Sequence, residues 1–326
     1  MGKSRSIAQQ LIHAIADCSA IGESKRSYKL QHDGDTGYKI FGISYKKDLQ
    51  KTARDLGNYI RENHPDIKRV RDITPDALQG YLQSKHSCSL SYAQRQISHI
   101  GKLQECCSHT YGRSDWHTDR IRVPARQNIQ EDKIRTHVAS EYQFSRLLGV
   151  MHTPRSGESW KALILSHDAG LRVQESAMVK FGRLSSSGGR WGCGTITLQG
   201  AEDGCKGGRW RTVDIITPEA RERLQMCMSG LQPGDNVIRS KTGQPLDPGS
   251  IDRALQRAVQ RTPDVRESWV ANNGIHAFRK SFAQQSYDAA RHSGSSKKEA
   301  VAYVNQQLGH GHDRSDLTRT YIQNLW

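Results

Sequence analysis

The 326-residue chain has no run of about 18 apolar residues, so no segment reads as a membrane-spanning helix. Its first ten residues, MGKSRSIAQQ, lack the apolar core of a secretory signal. No C-x-x-C spacing occurs, and the seven cysteines (positions 18, 88, 106, 107, 193, 205 and 227) are odd in number. That speaks against a disulfide scaffold or a zinc ribbon and for a reducing, cytoplasmic compartment. There is no G-x-x-x-x-G-K-[ST] loop for a nucleoside triphosphate, no H-E-x-x-H zinc helix, and no acidic cluster at metal-ligand spacing. Internal repeats and low-complexity blocks are missing as well. Only 35% of the residues are hydrophobic, which implies a very polar surface on a chain long enough for two domains.

Positive charge is abundant. Lys and Arg number 48 against 33 Asp and Glu, a formal net charge of +15. The excess is spread evenly: residues 1–130 carry 21 basic and 13 acidic side chains, residues 131–326 carry 27 and 20. Such a distribution suits a long polyanion held along the whole molecule, because each neutralised phosphate releases counterions.

The expected architecture is mainly α with a small antiparallel β-sheet. Residues 1–43 read as an N-terminal extension with one helix and a loosely held connector. In 44–64, Leu49, Ala53, Leu56 and Ile60 form one apolar stripe. Lys46, Lys47, Lys51 and Arg54 fall largely off it. Thr74-Pro75 opens a second helix, with Thr as cap and Pro at the first position. A third spans 89–111, with Ile97, Ile100 and Leu103 inward. Residues 44–116 thus form a helical bundle, and its basic faces make Lys46, Lys47, Lys51, Arg54 and Arg95 candidate DNA contacts. The polar, Pro-containing stretch 117–134 reads as a linker to a second domain at 135–326. There, helices are expected near 141–150 and 160–169, the latter stopped by Gly170. Residues 192–198 and 210–216 are β-branched and alternating, so they read as strands flanking a Gly-rich turn. Pro218 starts another helix. Ser296 and Glu299 form a capping box for a last long one, ended by Gly309.

Several polar residues sit where this pattern does not need them. Arg172 follows a glycine helix stop in AGLRVQE. Lys206 lies in the hairpin turn, His276 and Arg279 share a helix face in GIHAFRKSF, His310 follows a glycine stop in LGH, and Tyr321 falls on a last short helix, DLTRTYIQNLW. Taken singly, each has an ordinary structural explanation. Taken together and in order, they resemble the tyrosine recombinases, the phage-integrase family. AGLRVQE is similar to that family's GLR-x-x-E box, GCKGGRWRTVDI to its GKG-x-x-R β-hairpin, HAFRKSFA to its H-x-x-R helix, and LGHGHDRSDLTRTYI to its LGH…Y ending. The resemblance covers about residues 140–326. The bundle before it matches the family's core-binding domain in size and type, without a motif.

The resemblance implies a fold, an N-terminal helical core-binding bundle plus an α/β catalytic domain, and a set of roles. Tyr321 would be the nucleophile, Arg172 and Arg279 would clamp the scissile phosphate, Lys206 would be the general acid, His276 and His310 would complete the pocket, and Glu175 would support it. Guanidinium forks suit the charge gathered on a phosphodiester under attack. A departing 5′-hydroxyl needs a proton, which a lysine delivers. A phenol ionises in water only near pH ~10, so neighbouring groups must activate it. The 3′-phosphotyrosyl link keeps the bond energy, so neither ATP nor a metal, nor any other cofactor, is required.

The implied partners are double-stranded DNA recombination sites and three further copies of the chain, in a tetramer on two duplexes. Accessory DNA-bending or directionality factors would be further partners, and a membrane would not. The implied location is cytoplasmic, at the nucleoid, and the implied role is integration and excision of a mobile element. Within the same chemistry, resolution of chromosome dimers and type IB topoisomerase-like relaxation stay open. A non-catalytic DNA-binding regulator is the reading from another class, and filled active-site positions speak against it. The spacing from His310 to Tyr321 is longer than is usual in the family. Residues 312–315 read as a short insertion, or His312 takes the pocket role instead of His310.

Overall fold

The computed structural model describes residues 5–112, 114–124, 137–153, 157–270, 273–310 and 320–326. The chain divides into two units, Met1–Lys133 and Ile134–Trp326, each with its own apolar core.

The α-helices of the first unit are α1 (Ile7–Asp17), α2 (Lys25–Gln31), α3 (Ile43–Asn63), α4 (Pro75–Gln83) and α5 (Leu90–Tyr111). The starts follow local chemistry. Thr74 caps α4, Pro75 follows as its first residue, and Ser89 caps α5. The expected stripe of α3, Leu49, Ala53, Leu56 and Ile60, is fully buried. It meets α1, whose Ile7, Leu11, Ala14 and Ile15 are buried in the same core. The approach is close: a Cβ on Gly57 would lie 2.6 Å from Ala8 Cα. Ile40 joins this core through a parallel bridge to Ser19. Residues read as a loose extension therefore supply buried surface, at roughly 1.5–3 kcal/mol for each large aliphatic side chain. Trp116, inside the segment before the second unit, is also fully buried and donates its indole N–H to Val70 O at 2.7 Å.

The second unit begins with α6 (Glu141–Met151), α7 (Lys161–Ala169) and α8 (Val173–Met178). A three-stranded antiparallel sheet follows: β1 (Leu184–Ser185), β2 (Thr195–Leu198) and β3 (Arg211–Asp214), in that order. Ile196 pairs with Val213 and with Leu184. The chain then returns to helices α9 (Pro218–Met228), α10 (Pro248–Gln260), α11 (Pro263–Ser268), α12 (His276–His292) and α13 (Lys297–Gln307). The two longer strands are shorter than the sequence suggests; β2 starts late because Gly192 and Gly194 adopt positive φ and turn the chain before Thr195. α12 is anchored by Phe278 and Phe282, both fully buried. A Cβ on Gly170 would lie 2.3 Å from Phe282 Cδ1, and Gly170 itself is left-handed at φ +59°. Glycine is thus required there both by conformation and by space.

Buried α7 is fixed by a charged cluster. His167 hydrogen-bonds Asp168 Oδ1 through Nδ1 (2.7 Å) and Glu141 Oε1 through Nε2 (2.8 Å), and it stacks on Phe144 at 3.8 Å. Arg223 of α9 forks onto Asp168 with two 2.7 Å bonds. Among the described residues no helix is long and apolar enough to cross a membrane.

Candidate active site

The site starts at the end of α7. The left-handed turn at Gly170 buries Leu171 and brings Arg172 out as the residue before α8. Glu175, three residues on, reaches back: its Oε2 accepts from the Arg172 backbone N–H at 2.7 Å and its Oε1 from Arg172 Nη1 at 2.8 Å. This acidic side chain has no solvent exposure.

Two more guanidiniums face the same carboxylate. Arg211, the first residue of β3, forks onto both oxygens at 2.7 and 2.6 Å. Arg279, on the first turn of α12, places Nη1 3.7 Å from Oε2. Arg279 is fully buried. It donates to Gly170 O and, at 2.7 Å, to Leu308 O, which also accepts from Arg172 Nη2 at 3.3 Å. Arg211 Nε donates to Gln307 O at 3.2 Å. The carboxyl ends of α7 and α13 thus turn their spare carbonyls toward the guanidiniums, where the helix dipole favours positive charge.

Charge does not balance here. Three guanidiniums surround one carboxylate, an excess of two positive charges. Burial, then repulsion from Arg172, pushes the Arg279 pKa down to about 9. Burial alone would raise the Glu175 carboxyl, but the hydrogen bonds and charge of Arg211, with Arg279 and Arg172, hold it down to about 2. Arg279 Nε has no hydrogen-bond partner among the described residues. An anion entering beside these groups would meet donors already in place, and its charge would offset their mutual repulsion.

The tyrosine lies over this cluster. Tyr321 is 8% exposed. Its ring centroid is 5.8 Å from the Arg279 guanidinium carbon, 5.3 Å from the ring of His276 and 4.7 Å from that of His310. The residues after it lie along α12. Gln284 accepts from the backbone N–H groups of Gln323 and Asn324, and Trp326 Nε1 donates to Asp288 at 2.9 Å.

Neither a protein-family profile nor a curated protein matches the sequence. Solved structures match its fold. The XerH site-specific recombinase bound to a palindromic difH substrate has a TM-score of 0.62 at 14% identity, over 97% of this chain and 90% of that one. A lambda integrase tetramer bound to a Holliday junction has 0.59 at 16% identity, over 95% and 77%. The Tn1549 transposon integrase in complex with circular intermediate DNA has 0.57 at 12% identity, over 96% and 94%. These proteins are tyrosine recombinases. The chain has the tyrosine-recombinase fold.

Within that fold, the sequence-predicted residues Arg172, Glu175, His276, Arg279, His310 and Tyr321 come together from α8, α12, the end of α13 and the C-terminal segment. Lys206 does not join them. It lies in a short 3-10 turn between β2 and β3, exposed, and its ammonium makes no hydrogen bond or ion pair among the described residues. His312 lies outside the described residues. In the first unit Lys47, Lys51, Arg54 and Arg95 are exposed, whereas Lys46 donates to Ser19 Oγ at 3.0 Å. With Arg61, the first three make a basic row along one face of α3, at spacings of four, three and seven.

Arg211 has no part in the sequence-based set. Its signal is strand alternation: it stands two residues before the buried Val213, so a charged side chain occupies the inward face of β3.

Proposed function

We propose that the chain is a site-specific DNA recombinase that cuts and rejoins strands through a 3′-phosphotyrosyl intermediate, and that it integrates and excises a mobile element. The observation that carries this is the cluster of Arg172, Arg279 and Arg211 around Glu175, short of an anion, with Tyr321 and two histidines against it. A phosphodiester supplies the missing charge. Its non-bridging oxygens take the donors of Arg172 and Arg279, which hold most strongly as charge builds at phosphorus. For that, the Tyr321 ring withdraws from the guanidinium of Arg279 and presents Oη to phosphorus.

Tyr321 Oη then forms a bond to phosphorus as the bond to the 5′-oxygen breaks. The phenolic proton passes to a neighbouring histidine, His276 or His310, and the leaving 5′-oxygen takes a proton from Lys206. Lys206 stands on an exposed turn, so its hairpin must move onto the DNA to do this. Religation reverses the steps with a 5′-hydroxyl from another strand. Exchange between two duplexes calls for four copies of the chain. The basic row on α3 and Arg95 supply phosphate contacts that hold the site in register.

The test is a pool of nicked duplexes with randomised cores, from which the short piece between cut and nick, bearing the freed 5′-hydroxyl, diffuses away and so traps the intermediate. The wild type is expected to select a sequence and form an SDS-stable DNA adduct with it, in EDTA and without ATP. No adduct with any sequence would leave a DNA-binding regulator on this fold. Relaxation of plasmids lacking the selected sequence would indicate a topoisomerase-like activity instead.

A further inference from the structure

We propose that Arg211 is a positioning residue, one that holds the charge of Glu175 so that Arg172 and Arg279 keep their donors for the scissile phosphate. The proposal rests on the phosphoryl-transfer reading above and names a residue that reading does not use.

Its side chain is only 7% exposed, so Arg211 is not placed to grip DNA. Yet it makes the closest and most complete pairing with Glu175, a two-pronged fork at 2.7 and 2.6 Å. Arg172 reaches one oxygen with its side chain, and Arg279 stands off at 3.7 Å. A carboxylate and a phosphodiester compete for the same guanidinium forks. A buried Glu175 without Arg211 would have two cations left to neutralise it, the two that the phosphate needs. Shape supports the assignment. The Arg211 side chain passes so close to Gly309, at φ +68°, that a Cβ there would lie 3.0 Å from Arg211 Cδ. The next residue, His310, stands beside Tyr321.

A purely architectural role for Arg211 is disfavoured by a second link between the same elements. Gln307 Oε1 accepts from the Asp214 backbone N–H at 2.7 Å and Gln307 Nε2 donates to Asp214 Oδ2 at 3.2 Å, so α13 and β3 stay joined without the arginine.

The test compares full-length variants, with the SDS-stable adduct on the selected nicked duplex as readout and thermal unfolding as the folding check. Arg211→Met lowers adduct formation by about 100-fold. Adding Glu175→Gln removes the competing charge and recovers at least about tenfold of it. Arg211→Lys keeps the charge without the fork and stays well above Arg211→Met. A double variant no better than Arg211→Met overturns the proposal, and so does Arg211→Met at the wild-type rate. Inorganic phosphate gives the same ordering without DNA: it raises the Tm of the wild type and the double variant more than that of Arg211→Met. No difference between wild type and Arg211→Met in that shift also overturns it. A wild type that forms no adduct but keeps the phosphate ordering sinks the recombinase reading alone.

Discussion

As proposed phosphate ligands Arg172 and Arg279 are alike, but they differ as targets. Arg279 is fully buried and donates to two helix-end carbonyls, so truncating it would leave Gly170 O without its donor and Leu308 O with only the 3.3 Å bond from Arg172, and damage the fold. Arg172 is 23% exposed, and its loss leaves Glu175 paired with Arg211. Arg172→Ala is therefore expected to cut adduct formation by at least about 100-fold with little change in DNA affinity or Tm, as read by trapping, gel shift and melting in parallel. Glu175 gives a pH signature. Its folded pKa of about 2 lies below the ordinary 4.5. The stabilisation is complete above the unfolded value and disappears as pH falls from 4.5 through about 2. The wild type is expected to exceed Glu175→Gln by about 3 kcal/mol at neutral pH, with the gap closing over that acid range in denaturant titrations. That Arg172, Arg279 and Tyr321 belong together was legible in the order of the motifs that carry them, since each alone has an ordinary structural explanation. Arg211 was not, because its partners lie 36 and 96 residues away and spacing alone does not reveal a shared carboxylate.

Local chemistry at helix ends marked some of the helices in the sequence but left the Ser6 and Ser140 capping boxes and the Asp247-Pro248 start of α10 unread. Thr74-Pro75, the Ser296–Glu299 capping box and Gly170 all act where expected. The two-residue strand β1 was missed, since its pairing with β2 owes nothing to its own periodicity. Nor does the stripe of α1 reveal which helix it packs against. Helix α7 matters most to the site, because its end sets Arg172. Its stability is linked to pH through His167, which hydrogen-bonds Asp168 on its own helix, Glu141 of α6 and Gln285 of α12, while Arg223 of α9 pairs with Asp168 behind it. Burial lowers the pKa of this imidazole, but hydrogen bonds and charge from Asp168 and Glu141 outweigh it and leave the value above the ordinary 6.5. The contribution is therefore full below 6.5 and lost as pH rises through the folded value. His167→Gln is expected to cost about 2 kcal/mol at pH 6 and less at high pH. A cost that grows with pH would contradict the charged assignment.

At the scale of the whole molecule, the net charge of +15 is shared between both units, so binding should rest on contacts along the chain and not on one tail. Replacing Lys47, Lys51 and Arg54 with Gln removes three exposed cations from one face of α3. The slope of log K against log salt should fall by about 0.9 for each that meets a phosphate, with adduct chemistry at saturating DNA unaffected. An unchanged slope would move the DNA to another face. Composition pointed toward a polyanion, and ordered motifs made the fold legible.

The central claim is that Tyr321 takes over a DNA phosphate. The most direct measurement is mass spectrometry of the adduct after nuclease and protease digestion. A 3′-phosphonucleotide on the peptide containing Tyr321, absent from Tyr321→Phe, is the predicted result. A nucleotide on any other residue, or an adduct that survives Tyr321→Phe, would contradict the account.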